Sequence, residues 1–243
     1  MKKLIWFAFL VAQTACSGVP TKKSQVIYPT SGKLSAQGTY LPFAGVTVVA
    51  KVKKENRPFF EELHQELKKS PVISRYFALL PVSSFHMTTT NLYTEKDRYA
   101  GSWNDFISSH LPVFASLYKR LESAQFEPQV HMEKLAVAGT IKIVVRFLNE
   151  EQENTVRKIA KEFNQEPKIP NPFHITMGYL YQDLESDTKQ EIEQELQRIT
   201  QKILASHPEP LTLEVPKLSY FFDMLDFFPW EAKRNPFETS SSH

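Results

Sequence analysis

Glycine is scarce in this chain, with seven among 243 residues, and neither GxxxxGK nor GxGxxG occurs. Nucleotide binding through a P-loop or a dinucleotide fingerprint therefore has no basis. Cysteine is scarcer still: Cys16 stands alone, so no intramolecular disulfide can form and stability must come from a buried core. Charge of one sign is not in excess either. Without Lys2 and Lys3 the chain carries 27 basic and 27 acidic residues. So balanced a chain has no broad electrostatic footprint for long nucleic acid, whose binding needs many Lys/Arg–phosphate contacts. A small substrate, or the short end of a polymer, fits better. No cluster of Cys, His and Asp has metal-ligand spacing, and no metal or cofactor is expected.

What is present begins with a leader. Met1-Lys2-Lys3 is a basic start, and Leu4 to Ala12 is an apolar run of nine residues. A spanning helix needs about 20, so the run reads as a secretory signal peptide over 1–17. Two exits stay open. Cys16 sits where a bacterial lipoprotein carries its lipidated residue, although Gln13 stands where a lipobox has Leu. Cleavage after Ser17, using the small pair Ala15 and Ser17, fits as well. The expectation is an exported chain, periplasmic or anchored to a membrane by lipid at Cys16, and monomeric.

Residues 18–40 are rich in Ser, Thr, Gly, Pro and Lys without a period and read as a flexible tether. Regular structure follows. Val46–Lys53 alternates as a strand, and Pro58 opens a helix through about Lys69 with Phe59, Leu63 and Leu67 on one face. An apolar stretch from Val72 to Pro81 leads to a strand over Phe85–Tyr93. A helix from about Asn104 to Leu121 follows, with a break or kink expected at Pro112, then a strand over Phe126–Val137. The order then repeats. Ile141–Phe147 alternates, Asn149 with Gln152 has the form of a capping box, and Val156, Ile159, Ala160 and Phe163 share a helix face. A strand over Phe173–Tyr181, a long helix from near Ser186 and a strand over Leu211–Leu218 complete the second half. The pattern predicts an α+β fold: β-α-β-α-β twice, with lobes over 41–137 and 138–230 of one domain at 41–230 and a polar tail over 231–243.

Aligned without a gap, Phe85-His86-Met87-Thr88-Thr89-Thr90-Asn91-Leu92-Tyr93 and Phe173-His174-Ile175-Thr176-Met177-Gly178-Tyr179-Leu180-Tyr181 share Phe, His, Thr, Leu and Tyr at five of nine positions. Alternation along a strand turns Phe85, Met87, Phe173, Ile175 and Met177 into the core. His86 with Thr88, and His174 with Thr176, then face the other way. Two His-x-Thr motifs at the same place in both halves resemble the 2H phosphoesterase superfamily. The nearest likeness is to an uncharacterised bacterial branch related to RNA ligase/cyclic nucleotide phosphodiesterase-like proteins. That likeness extends to Ala78-Leu79-Leu80-Pro81 before the first motif and Tyr179-Leu180 after the second, and covers about 40–230.

The resemblance implies a bilobed fold with two antiparallel sheets facing a central cleft, helices outside, and His86 and His174 on adjacent sheets flanking one phosphate. It implies metal-independent phosphodiester hydrolysis, of the 2′,3′-cyclic phosphate type, on a nucleotide or RNA end. One neutral imidazole would take a proton while the other, protonated, gives one to the leaving oxygen. Thr88 and Thr176 would bind non-bridging oxygens. The alternative is a catalytically silent exported protein of the same fold that binds nucleotides or phosphate esters. Tyr93, Tyr179 and Tyr181 are candidates to stack on a base or bond a phosphate. Arg98, with Tyr99 and Trp103, could fold over the cleft. Core packing is an equal reading for the tyrosines. The other histidines, His64, His110, His131, His207 and His243, read as surface or structural residues.

Overall fold

Alternating stretches become strands, and amphipathic ones become helices, in a computed structural model that describes residues 26–29, 32–97 and 101–238. The expected leader over 1–17 with Cys16, the Arg98–Tyr99 pair and residues 239–243 lie outside the described residues. In order the elements are β1 (Gly45–Lys51), α1 (Arg57–Lys69), α2 (Pro71–Tyr76), β2 (Phe77–Leu79) and β3 (His86–Thr94). Then come α3 (Trp103–Ala124), β4 (Gln129–Val137), β5 (Thr140–Phe147), α4 (Glu150–Glu162) and β6 (His174–Leu180). α5 (Ser186–Ser206), β7 (Leu211–Thr212), β8 (Lys217–Phe221) and β9 (Phe228–Pro229) complete the chain. The expected last strand over 211–218 is thus two short ones, divided where Pro216 supplies no ladder donor.

The strands make one sheet, not two facing ones. Its order is β7-β4-β5-β6-β3-β1-β8-β9, with β2 also on β6, and every pairing is antiparallel. The two motif strands are neighbours, joined through Met87 opposite Ile175. Side by side, β3 and β6 satisfy each other's edge there, which two separate sheets would leave unpaired. The halves also interleave. β4, from the first, pairs with β5 of the second, while β8, from the second, pairs with β1 of the first. α5 packs against β4 and α3 against β8, so each long helix follows the exchanged strand.

One apolar cluster joins α1, α2 and α5 to the sheet through Phe60, Leu63, Phe85, Met87, Ile175, Met177, Ile192 and Ile199. A second joins α3 and α4 to Val46, Val48, Leu92, Leu218 and Trp230. α3 runs through Pro112 without ending, and starts at a capping box between Ser102 and Asp105. At α4 the Asn149 side chain accepts from the Glu151 amide, but Gln152 does not close a box. Its amide instead accepts from Gln129 N–H and donates to the Glu127 carbonyl, tying the helix to the start of β4.

Neither flank is loose where it is described. Ile27 and Leu184 exchange backbone hydrogen bonds of 2.8 and 2.9 Å. Leu34 bridges Tyr40, Leu41 N–H donates to the Lys33 carbonyl at 3.0 Å, and the Tyr40 hydroxyl donates to the Ala78 carbonyl at 3.0 Å. The expected tether is therefore a folded strap across 26–29 and 32–40. At the other end, buried Asn235 donates to the Asn104 carbonyl and to Ser108 Oγ, and Phe237 packs edge-on against Trp103. Residues 231–238 dock on α3, because two amide donors and an aromatic ring find partners there.

Candidate active site

His86, Thr88, His174 and Thr176 all line one cavity of about 310 Å³. Phe85, Met87, Phe173, Ile175 and Met177 are buried on the opposite side, as strand alternation requires. Extending the Met87–Ile175 register by one residue sets His86 across from Thr176 and Thr88 across from His174. The histidines then lie on a diagonal of the ladder, where side chains start roughly 7–8 Å apart.

Strict alternation stops three residues after each histidine. Against β1, Val48 pairs with Thr90 but Val49 with Thr88, so Thr89 is an extra residue in β3. Against β5, Ile141 pairs with Gly178 but Lys142 with Thr176, so Met177 is an extra residue in β6. The two bulges hold the same place in the repeat. Each reverses the faces beyond it, which carries Asn91 and its counterpart Tyr179 into the cavity wall. With Asn91 turned inward, alternation sets Tyr93 beside it on the cavity, and a further shift at Leu92 belongs to β3 alone. β6 ends before that point, and Tyr181 departs with the chain: its hydroxyl reaches the Ser74 carbonyl at 3.5 Å and its ring lies against Gly38. Tyr93 and Tyr179 are thus at the site and Tyr181 is not. Trp103 is packed with Phe106 and Phe237 and does not cover the cleft.

Each histidine is held the same way. His86 Nδ1 donates to the Ser84 carbonyl at 2.7 Å, and His174 Nδ1 donates to the Pro172 carbonyl at 2.9 Å. A carbonyl can only accept, so Nδ1 carries hydrogen and Nε2 of the neutral ring keeps its lone pair. Among the described residues neither Nε2 has a protein partner. Burial lowers the pKa of His86 to about 4, with the positive charges of Lys51, His174 and Lys33 adding to it and the Ser84 bond opposing. Burial, then Lys142 and Lys33, lowers that of His174, with the Pro172 bond opposing. Both rings are half-buried rather than sealed, so they stay reachable from the cavity. Both shifts favour the neutral imidazole.

Several lining residues come from stretches that carried no motif. The Phe227 ring sits 4.0 Å from that of His86 and, with Phe221, Met224 and Phe43, forms an apolar wall. Tyr179 donates to Met224 Sδ at 3.3 Å, and burial raises its phenol well above the usual range. Opposite, Asn91 Nδ2 donates to the Lys168 carbonyl at 3.1 Å, and Lys168 Nζ bonds the Leu92 carbonyl while lying 4.0 Å from the Tyr93 ring. Lys33 enters from the strap. No pattern in the sequence marks it, since its segment has no period. Among the described residues no three His, Cys, Asp or Glu side chains gather as a metal cage.

Residues 33–145 match the model of a family named 2H-phosphodiest and described as a domain of unknown function (DUF1868). The match takes in the strap and the first motif and stops short of the second. A protein of Invertebrate iridescent virus 6, named uncharacterized protein 127L, is 25% identical over 182 residues, covering 63% of this chain and 73% of that protein. A conserved protein of unknown function from Agrobacterium tumefaciens str. C58 superposes with a TM-score of 0.64 at 21% identity, over 83% of this chain and 90% of its own, and so shares the fold.

Proposed function

We propose that this chain is a phosphodiesterase that hydrolyses a cyclic phosphate or phosphodiester of a nucleotide or RNA end by His/His acid–base catalysis without a metal. The observation that carries the reading is the paired placement of two identically anchored imidazoles, each with a hydroxyl neighbour, in one cavity. The match over 33–145 to a 2H-phosphodiesterase-named family supports it.

In the free site both rings are neutral, whereas the reaction needs one of each form. The phosphate supplies the difference: its negative charge between the rings favours protonation of one. His86, the more depressed, serves as base and takes the proton of the attacking water on Nε2. His174, less enclosed, is the ring the bound phosphate protonates, and its Nε2–H donates to the departing ribose oxygen. Hydroxyls of Thr88 and Thr176 donate to the non-bridging oxygens as charge grows on them. The Phe43–Phe221–Phe227 wall offers a flat apolar surface to a base.

The deciding experiment incubates the protein with 2′,3′-cyclic mononucleotides and with short RNA bearing a cyclic end, and identifies the product. The reading expects a single phosphomonoester, unaffected by chelator, with turnover bell-shaped in pH because one ring must be neutral and the other charged. Tight ester binding without any product would make the chain a binding module instead.

A further inference from the structure

We propose that Lys33 is the anion-binding residue of this site, its ammonium group held between two aromatic rings to receive a phosphate oxygen of the substrate. The inference rests on the site's taking a phosphate ester, and adds a residue from outside both motifs.

Lys33 lines the same cavity as the two histidines and threonines. Its Nζ lies 4.7 Å from the centroid of the Tyr179 ring and 5.2 Å from that of Phe43. The backbone that delivers it is pinned by the Leu41–Lys33 hydrogen bond and the Leu34–Tyr40 bridge, so the side chain is aimed rather than wandering. Aromatic faces attract a cation but neutralise no charge. Among the described residues Lys33 forms no ion pair, and the charge of Lys96, whose Nζ lies 5.2 Å from the same Phe43 ring, repels it. A half-buried ammonium beside a second cation, with no ion-pair partner among the described residues, is costly unless an anion completes it. Lys168, the other lysine on the wall, differs: it bonds the Leu92 carbonyl and feels the charge of Asp97.

Burial and Lys96 lower the Lys33 pKa to about 8. The groups around it are Lys96 at the Phe43 ring and, along the cavity, the Tyr179 phenol, raised by burial and so neutral, the two histidines, both lowered, Asp97, and Lys168, which keeps its bond to the Leu92 carbonyl. Among these, Lys33 is the group whose charge is lost on passing pH 8. An anion held by it should be released over that step.

Inorganic sulfate is the right probe, because it remains a dianion from pH 7 to 9.5, and any pH dependence owed to a histidine that the bound anion protonates would persist in Lys33→Arg, whereas the part owed to Lys33 would not. Titration calorimetry of the full chain should show sulfate binding at pH 7 that weakens about tenfold by pH 9.5. Lys33→Met should bind at least ten times more weakly at pH 7 with unchanged far-ultraviolet dichroism. Lys33→Arg should retain binding and lose the pH dependence, since guanidinium stays charged. Wild-type affinity that is flat through pH 8, no sulfate binding at all, or Lys33→Met binding like wild type would overturn the proposal. The comparison of wild type with Lys33→Arg decides even if Lys33→Met fails to fold. The two readings separate cleanly. Sulfate binding that follows Lys33 in a protein with no turnover would sink the enzyme and leave the anion site. Turnover with Lys33-independent sulfate binding would do the reverse.

Discussion

At the scale of single residues, the site depends on which nitrogen of each imidazole is committed. Ser84 and Pro172 lie two residues before their histidines, and their carbonyls fix both tautomers with Nε2 as the working atom. Removing either ring removes a proton carrier, so His86→Ala and His174→Ala should each lower turnover by roughly 10²- to 10⁴-fold, measured as initial rate on a cyclic nucleotide. Thr88→Val and Thr176→Val keep the shape and lose one hydrogen bond apiece, and should fall less. Wild-type rates in both histidine variants would mean that other groups carry the reaction. These four residues are legible in the sequence because the same motif occurs at the same place in two repeats. Lys33 and Phe227 are not, because they arrive on segments without periodicity and only folding brings them together. Asn91 escapes for another reason: a bulge moves it to a face that plain alternation denies it.

Among elements, the bulges set which side chains of β3 and β6 face the cavity, and β2 pairs with the far end of β6. The succession of strands and helices along the chain follows the hydrophobic period closely, from Pro58 opening α1 to the apolar stripe Ile192, Leu196, Ile199 and Ile203 of α5. The joining of β3 to β6 and the exchange of β4 and β8 are contacts between distant segments, which periodicity within a segment does not encode. Gly178 shows what that pairing requires. A Cβ there would stand 2.7 Å from the Ala78 carbonyl oxygen and 3.1 Å from Leu79 Cα, and two of the three nearest atoms are backbone. Gly178→Ala should therefore cost about 1–3 kcal/mol through overpacking. Chemical denaturation would report it as a lower midpoint, and an unchanged midpoint would show that β2 can lift without penalty.

For the whole molecule, the depressed histidines tie stability to acid. His86 falls from 6.5 to about 4 in the fold, and His174 and His64 are lowered too, with burial the largest cause for each. A ring with a lowered folded pKa binds fewer protons folded than unfolded, so stability rises with pH across the gap between the two values. Its contribution is complete above about 6.5 and is lost as pH falls from there toward 4. Carboxylates lowered by cationic partners, such as Glu66 beside Lys69 and Lys202, add their own loss, but only below the 4.5 of an ordinary glutamate. The interval from 6.5 to 4.5 therefore belongs to the histidines. Melting temperature should decline through that interval, and His86→Gln, which cannot take up a proton in either state, should decline less. Thermal scans of both proteins in matched buffers at half-unit steps measure the difference. Parallel curves would show that His86 carries no such burden and that its ring meets water more freely than its place beside Phe227 implies.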